Sequence, residues 1–188
     1  PGVMETSSID LAGAALGVVE RDARLGPHLV EPDDVILGLH SPNLRSNGFS
    51  LVRKVFEGSD LEAPLPGDSE TLAEILLQPS VIYSPAVLEA IAAGGVHAGA
   101  HVTGGGLEAN LTRSVPSGMR AVVDHWSWDW PRVFTEVQRR GGISVEEMRA
   151  TFNLGIGFCL IVDPDRLADV TDATAEHSPQ VLGRIEAD

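Results

Sequence analysis

Only one cysteine, Cys159, occurs in the chain. No internal disulfide can form, and a reducing, cytoplasmic location is expected. Cys159 lies in the apolar run Gly157-Phe-Cys-Leu-Ile-Val162 with nothing beside it to lower its pKa. It reads as a core residue and not as a nucleophile. Basic residues are scarce: 13 Lys and Arg stand against 27 Asp and Glu, for a formal net charge of −14. A general nucleic-acid binder would carry a basic stripe, so no nucleic-acid partner is expected. A phosphate-bearing small molecule remains compatible, because backbone N–H groups bind an anion locally whatever the distant charge. No apolar run approaches the ~20 residues of a membrane span, so no membrane partner is expected. The opening Pro1-Gly2-Val3-Met4-Glu5 lacks the pattern of a signal peptide. The six histidines show no ligand spacing joined to a cysteine or carboxylate set, apart from the weak pair His97 and His101, so no metal site is expected.

What is present fits one globular domain over residues 1–188, with 43% hydrophobic and 21% charged residues. Its centre is Ala100-His-Val-Thr-Gly-Gly-Gly-Leu-Glu-Ala-Asn110. An apolar run from Gly95 to Thr103 enters three glycines, and a helical segment from Leu107 to Val115 leaves them. Glycines let a backbone turn sharply and approach a ligand closely. A helix starting just beyond would face that ligand with free N–H groups. A phosphate is the simplest guest. A tight strand-to-helix connection explains the same glycines equally well.

The remaining elements follow from pattern. Ile9 to Asp22 reads as a strand; a helix is the alternative, which Gly13 and Gly17 disfavour. Pro1 reads as a domain junction. Asp33 to His40 is a short buried strand. A polar loop, Ser41 to Ser50, leads to an apolar helical segment from Leu51 to Phe56, with Ser46 or Asn47 as N-cap. Ser46, Asn47 and Ser50 can donate to phosphate, and Arg45, Arg53 and Lys54 add positive charge; a capped helix with a solvated basic face accounts for them as well. Ser69 to Leu77 forms a helix capped by Asp68 or Ser69. Another begins at Ser84-Pro85, with Val87, Leu88, Ile91 and Ala92 as its apolar face. Met119 to Val123 is a strand. All three tryptophans lie between Asp124 and Trp130, capping the core or lining an edge, ahead of a helix from Pro131 to Arg140. Ser144-Val-Glu-Glu147 is a capping box for a helix to Ala150. A loop from Thr151 to Gly157 precedes the strand Phe158 to Val162. A helix from Asp165 to Ala175 and a strand from Val181 to Glu186 close the chain.

Four stretches in register then resemble one family. They are Asp10-Leu-Ala-Gly13 with Gly17-Val-Val-Glu20, Ser46-Asn-Gly-Phe-Ser-Leu-Val-Arg-Lys54, His101-Val-Thr-Gly-Gly-Gly106, and Thr151-Phe-Asn-Leu-Gly-Ile-Gly157 after Glu147-Met148. The resemblance is to the C-terminal domain of phosphoribosylformylglycinamidine cyclo-ligase, or aminoimidazole ribonucleotide synthetase, and covers nearly the whole chain from residue 9. The family closes the imidazole ring in purine synthesis. ATP activates the formyl amide oxygen as a phosphoryl ester, an amidine nitrogen attacks, and phosphate leaves. Selenophosphate synthetase and thiamine-phosphate kinase belong to the same superfamily.

The resemblance implies an α+β fold, a mixed and largely antiparallel sheet of five or six strands packed with helices. It implies that ATP and Mg are bound mainly by an N-terminal domain not present in this sequence, which also carries the family's homodimer contacts. This chain alone would then be inactive and would supply half a site. The substrate's ribose phosphate would lie between Arg45, Ser46, Asn47 and Gly48 on one loop and Thr103, Gly104, Gly105 and Gly106 on the other. His101 is the candidate catalytic group, with a satisfied strand-end histidine as the alternative. His97, on the same strand, would share its face. Asn153 either hydrogen-bonds substrate or holds its loop. The family commonly has histidine where Arg45 sits and glycine where Asn43 sits. Those departures leave room for a paralogue with another substrate. A non-catalytic phosphate- or partner-binding domain is the alternative from a different class.

Overall fold

A computed structural model describes residues 13–124, 126 and 128–188. A five-stranded sheet organises it. The strands are β1 (Val35–His40), β2 (Val96–His101), β3 (Met119–Val123), β4 (Ile156–Val162) and β5 (Gln180–Ala187), in the order β2-β4-β1-β5-β3. Every neighbouring pair is antiparallel. The helices are α1 (Phe49–Val55), α2 (Leu72–Leu77), α3 (Ser84–Ala93), α4 (Gly106–Leu111), α5 (Arg132–Gly141), α6 (Val145–Thr151) and α7 (Leu167–Ala173). The α+β architecture is the expected one.

β4 runs through the middle of the core, and its residues are buried on both sides, as a continuous apolar run requires. Cys159 and Ile161 join Ile36, Ala98, Ala100, Leu107, Leu182 and Ile185 in one cluster. Leu160 and Val162 join Leu37, Val96, Ala90 of α3 and Val170 of α7 in another. The alternation of a pleated strand makes this division. Cys159 is fully buried, and that burial pushes its thiol pKa up, so it is a core residue. A third cluster lies among the helices. Phe134 and Val137 of α5, Met148 of α6, Val52 of α1 and Leu72 of α2 close around Phe152 and Leu154.

Several local expectations change. Residues 13–20 form no strand: they are exposed, with Leu16 at 98%, and only a 3-10 turn at Arg21–Ala23 follows. No neighbouring strand takes up their backbone groups, so apolar composition alone does not make a strand. Residues 9–12 of that expected strand, with Asp10-Leu-Ala of the first family stretch, lie outside the described residues. The cap of α1 is Gly48 in a left-handed conformation, not Ser46 or Asn47. The cap of α2 is Thr71, which with Glu74 forms a reciprocal capping box, rather than Asp68 or Ser69. α3 buries Ala86 and Ala90, whereas Leu88 and Ile91 are exposed. Small residues let this helix lie close to α7, which the larger side chains would prevent. Ser144 caps α6, accepting from the Glu147 N–H at 3.1 Å, but the expected capping box is only half formed, since the Glu147 carboxylate accepts from the Thr151 hydroxyl at 3.4 Å instead. Trp126 and Trp128 stack at 5.1 Å beside the sheet, and the indole N–H of Trp128 donates to the Leu154 carbonyl at 2.8 Å.

One ion pair sets a pH limit. Glu136, 8% exposed, accepts from Nε of Arg139 at 2.9 Å and from its Nη2 at 2.8 Å, with Arg140 also donating. Arg139 foremost, then Arg140, hold its carboxyl down at about 2, against the opposing effect of burial. The folded value lies below the ordinary 4.5. The stabilisation is therefore complete above that pH and is lost as pH falls toward 2. In Glu136→Gln the acid-side fall of Tm should be shallower than in the parent, the two curves converging near pH 2. Parallel curves from pH 6 to 2 would show that the pair does not contribute.

Candidate functional site

The loop that leaves β1 is shaped from beneath. Asn153, 2% exposed, donates through Nδ2 to the Asn43 carbonyl at 3.0 Å. Its Oδ1 accepts from the Gly155 N–H at 2.8 Å. Both polar ends of this side chain are spent inside the protein, so Asn153 holds the loop. Asn43, also buried, donates to the carbonyls of Gln78 (3.3 Å) and Pro79 (2.9 Å) and accepts from the Arg45 N–H at 3.0 Å. These bonds keep Arg45 at φ +56°, a left-handed conformation costly for a residue with a side chain. Gly48 follows at φ +73°, where a Cβ would lie 2.2 Å from the Phe152 ring. Glycine lets the loop settle onto that ring.

Arg45 turns inward from this loop. Its Nη1 donates to the carbonyls of Val102 at 3.0 Å and Gly157 at 2.7 Å, and its Nη2 donates to Nε2 of His101. The guanidinium carbon lies 6.0 Å from the centre of the Tyr83 ring. The Tyr83 hydroxyl in turn donates to the His40 carbonyl at 2.7 Å, passing over Gly157, where a Cβ would meet it at 2.1 Å. His101, exposed at the end of β2, has its pKa lowered by burial first and by the Arg45 charge second.

The glycine turn is held by a residue that sequence reasoning missed. Asn110, 4% exposed, donates through Nδ2 to the carbonyls of Thr103 (3.3 Å), Gly104 (3.4 Å) and Gly106 (2.6 Å). Its Oδ1 accepts from the Thr103 hydroxyl at 3.1 Å. The signal was present: asparagine is a poor helix-interior residue, and one at position 110 of a short helix has a use for its side chain elsewhere. The three glycines divide. Gly106 is buried, its N–H donates back to the Thr103 carbonyl at 3.2 Å, and a Cβ on it would lie 1.8 Å from the Arg149 carbonyl oxygen. Gly105 caps α4 at φ +96°. Gly104 is exposed, and the nearest atom to a Cβ there is Oδ1 of Asn47, at 4.0 Å.

The structure thus brings the loop of Arg45, Ser46 and Asn47 against both His101 and the glycine turn. A groove of about 460 Å³ opens beside Arg45 and Ser46, bounded by Arg53 and by Gln78, Pro79 and Ser80. A second, of about 470 Å³, is lined by His101, Phe158, Tyr83 and α3. Neither the 78–80 segment nor Tyr83 was legible as part of the site, because only chain reversal after α2 brings them there. His97 does not join His101. A register shift between Val96 and Ala98 breaks the alternation of β2, and His97 pairs with buried Asp34 at 2.7 Å instead. Among the described residues, no group of three or more His, Cys, Asp or Glu is placed to hold a metal ion.

The loop after β1 and the glycine turn after β2 thus meet on an antiparallel α+β domain. Residues 31–188 match the family described as AIR synthase related protein, C-terminal domain, and the chain belongs to that family. It is 45% identical over 167 residues to a phosphoribosylformylglycinamidine cyclo-ligase, chloroplastic/mitochondrial, of Vigna unguiculata. The match takes in 88% of this chain and 43% of that protein, so the chain spans less than half the length of this relative. A solved structure of T. maritima PurL complexed with FGAR aligns with 90% of this chain and 26% of its own, at 17% identity and a TM-score of 0.49. No helix among the described residues is long and apolar enough to cross a membrane.

Proposed function

We propose that this chain is the C-terminal, substrate-phosphate-binding half of an ATP-dependent cyclo-ligase. In this reading the full-length protein closes the imidazole ring of formylglycinamidine ribonucleotide to give aminoimidazole ribonucleotide. The observation that carries it is the convergence of Asn47 with Gly104 and of Arg45 with His101, which brings two of the family's motifs side by side. Ser46 and Asn47 would donate to the substrate phosphate, and exposed Gly104 would let it approach the backbone. Arg53, on the wall of the adjoining groove, would add charge attraction in a chain that is otherwise acidic. Asn153, Thr103 and Gly48 would serve by shape, since their groups are committed inside the protein. ATP and Mg would be held mainly by a neighbouring N-terminal domain, through which the full-length protein would also dimerise. A reducing compartment, cytoplasmic or organellar, suits the unpaired thiol.

A second reading is favoured by Arg45 and Asn43, the two departures from the family pattern, which here form one connected network. In that reading the full-length protein is a paralogue acting on a different phosphorylated substrate.

Thermal unfolding with and without formylglycinamidine ribonucleotide tests the proposal, with Asn47→Ala as control. Ligand at ~100 times its dissociation constant contributes about 2.7 kcal/mol. For a domain of this size that is a rise of roughly 5–10 °C. The rise should appear in the parent and be lost in Asn47→Ala. No rise with either this chain or the full-length protein would exclude this substrate. Complementation of a purine auxotroph by the full-length protein then separates the cyclo-ligase from the paralogue.

A further inference from the structure

Arg45 has an unusual setting for a residue at the mouth of a cleft. Its backbone is held in the left-handed region by Asn43, and Asn43 is held by Asn153. Two fixed carbonyls, of Val102 and Gly157, orient one end of the guanidinium. The other end meets Nε2 of His101. A guanidinium has donors only and does not lose its proton in proteins. The imidazole nitrogen facing it must therefore offer a lone pair. A protonated ring would set two N–H groups against each other, and the Nε2–H tautomer would do the same.

We propose that Arg45 is a positioning residue that locks His101 as the neutral Nδ1–H tautomer, so that His101 meets the ligand as a hydrogen-bond donor and not as a base. The ligand atom it fits is an oxygen acceptor, a phosphate or carbonyl oxygen, entering the groove between Tyr83 and Phe158. Phe158 supports the ring from β4, with centroids 6.0 Å apart. The titratable groups facing His101 are Arg45 from the loop and Tyr83 from the start of α3. Among the described residues that line the groove, none is a carboxylate that would favour a charged imidazole. The lowered pKa of the ring agrees with this setting. The role of the donor in ligand binding rests on the function proposed above; the tautomer does not.

Long-range proton–nitrogen NMR of the 15N-labelled chain, with no ligand present, reads the tautomer directly. The His101 signals are assigned by their absence in His101→Gln. The expected spectrum shows an unprotonated Nε2 and a protonated Nδ1, and a ring that takes up its second proton only at a pH below the ordinary histidine value. In Arg45→Ala the titration should move up toward that ordinary value and the Nε2–H tautomer should appear. In Arg45→Lys, which keeps a cationic donor, the Nδ1–H form should return. An Nε2–H ring in the parent chain overturns the proposal whatever the variants do, as does a tautomer unchanged in Arg45→Ala. If the Nδ1–H form is found but formylglycinamidine ribonucleotide leaves that resonance unmoved in the full-length protein, the lock stands and the substrate assignment fails.

Discussion

Gly106→Ala is expected to be among the most damaging single-methyl additions to this protein, lowering stability by roughly 3 kcal/mol or more. Gly106 sits at φ +68°, where a side chain costs about 1–2 kcal/mol. The methyl would also stand 1.8 Å from the Arg149 carbonyl oxygen and 3.3 Å from that of Phe152. Both obstacles are backbone, so no rotamer change relieves them, and α4 must move off α6. Asn110, which ties the turn to α4, would move with it. Gly104→Ala is the contrasting variant. Its φ is not in the left-handed region, and its methyl would meet nothing nearer than Asn47 at 4.0 Å. Its stability should stay within about 0.5 kcal/mol of the parent. Its methyl would nevertheless stand between Gly104 and Asn47, where the proposed phosphate would approach, so ligand-induced stabilisation should fall. Chemical denaturation of the two variants, followed by the ligand titration, separates packing from binding within one triplet. Equal stability losses at both positions would defeat this division.

Phe152→Ala should cost about 3–5 kcal/mol, the range for an aromatic core truncation. That corresponds to a Tm fall of roughly 6–20 °C. Phe152 is 1% exposed and lies 5.7 Å from Phe134, ring centre to ring centre, in the helical cluster. Its ring is also the surface beneath Gly48. Truncation therefore leaves a cavity and removes the floor of the Asn47 loop. Phe152→Leu should recover much of the stability, because it refills most of the volume. Recovery of binding should be smaller, since the flat face under Gly48 is not restored. A Phe152→Ala variant as stable as the parent by urea unfolding would mean that the cluster collapses around the loss.

The two variants probe opposite sides of the same cleft. Gly106 fixes the glycine turn against α6, and Phe152, one residue past α6, fixes the opposing loop. α6 and the residue just after it thus hold the two candidate loops in one register. This explains why the Thr151 to Gly157 stretch carries a family motif although its asparagine faces inward. The motif specifies support for the cleft.

Much of the architecture followed from local pattern. β3 was legible to the residue, β1 and β4 to within two residues, and the helices at Ser84, Pro131 and Ser144 to within one at their starts. Each has a period or a cap that depends only on near neighbours. The failures share a cause. Residues 13–20 have strand-like composition, but a strand exists only where another strand takes its hydrogen bonds. Leu88 and Ile91 look like a buried face, but the approach of α7 selects Ala86 and Ala90.

The site divides the same way. The amino-acid sequence by itself determined the family, because its motifs are contiguous and their chemistry is local, and it supplied His101 and the two loops as candidates. It also determined the backbone freedom of Gly48, Gly105 and Gly106. Tertiary structure alone decided which residues turn outward. Asn153 and Thr103 became supports once Asn43 and Asn110 offered them partners. His97 went to Asp34 because a one-residue register shift in β2 redirected it. Arg45 went to His101, 56 positions along the chain, because β1 and β2 flank the same strand, β4. Hydrogen bonds between distant segments depend on where the sheet brings their ends, and that is settled only when the whole core packs.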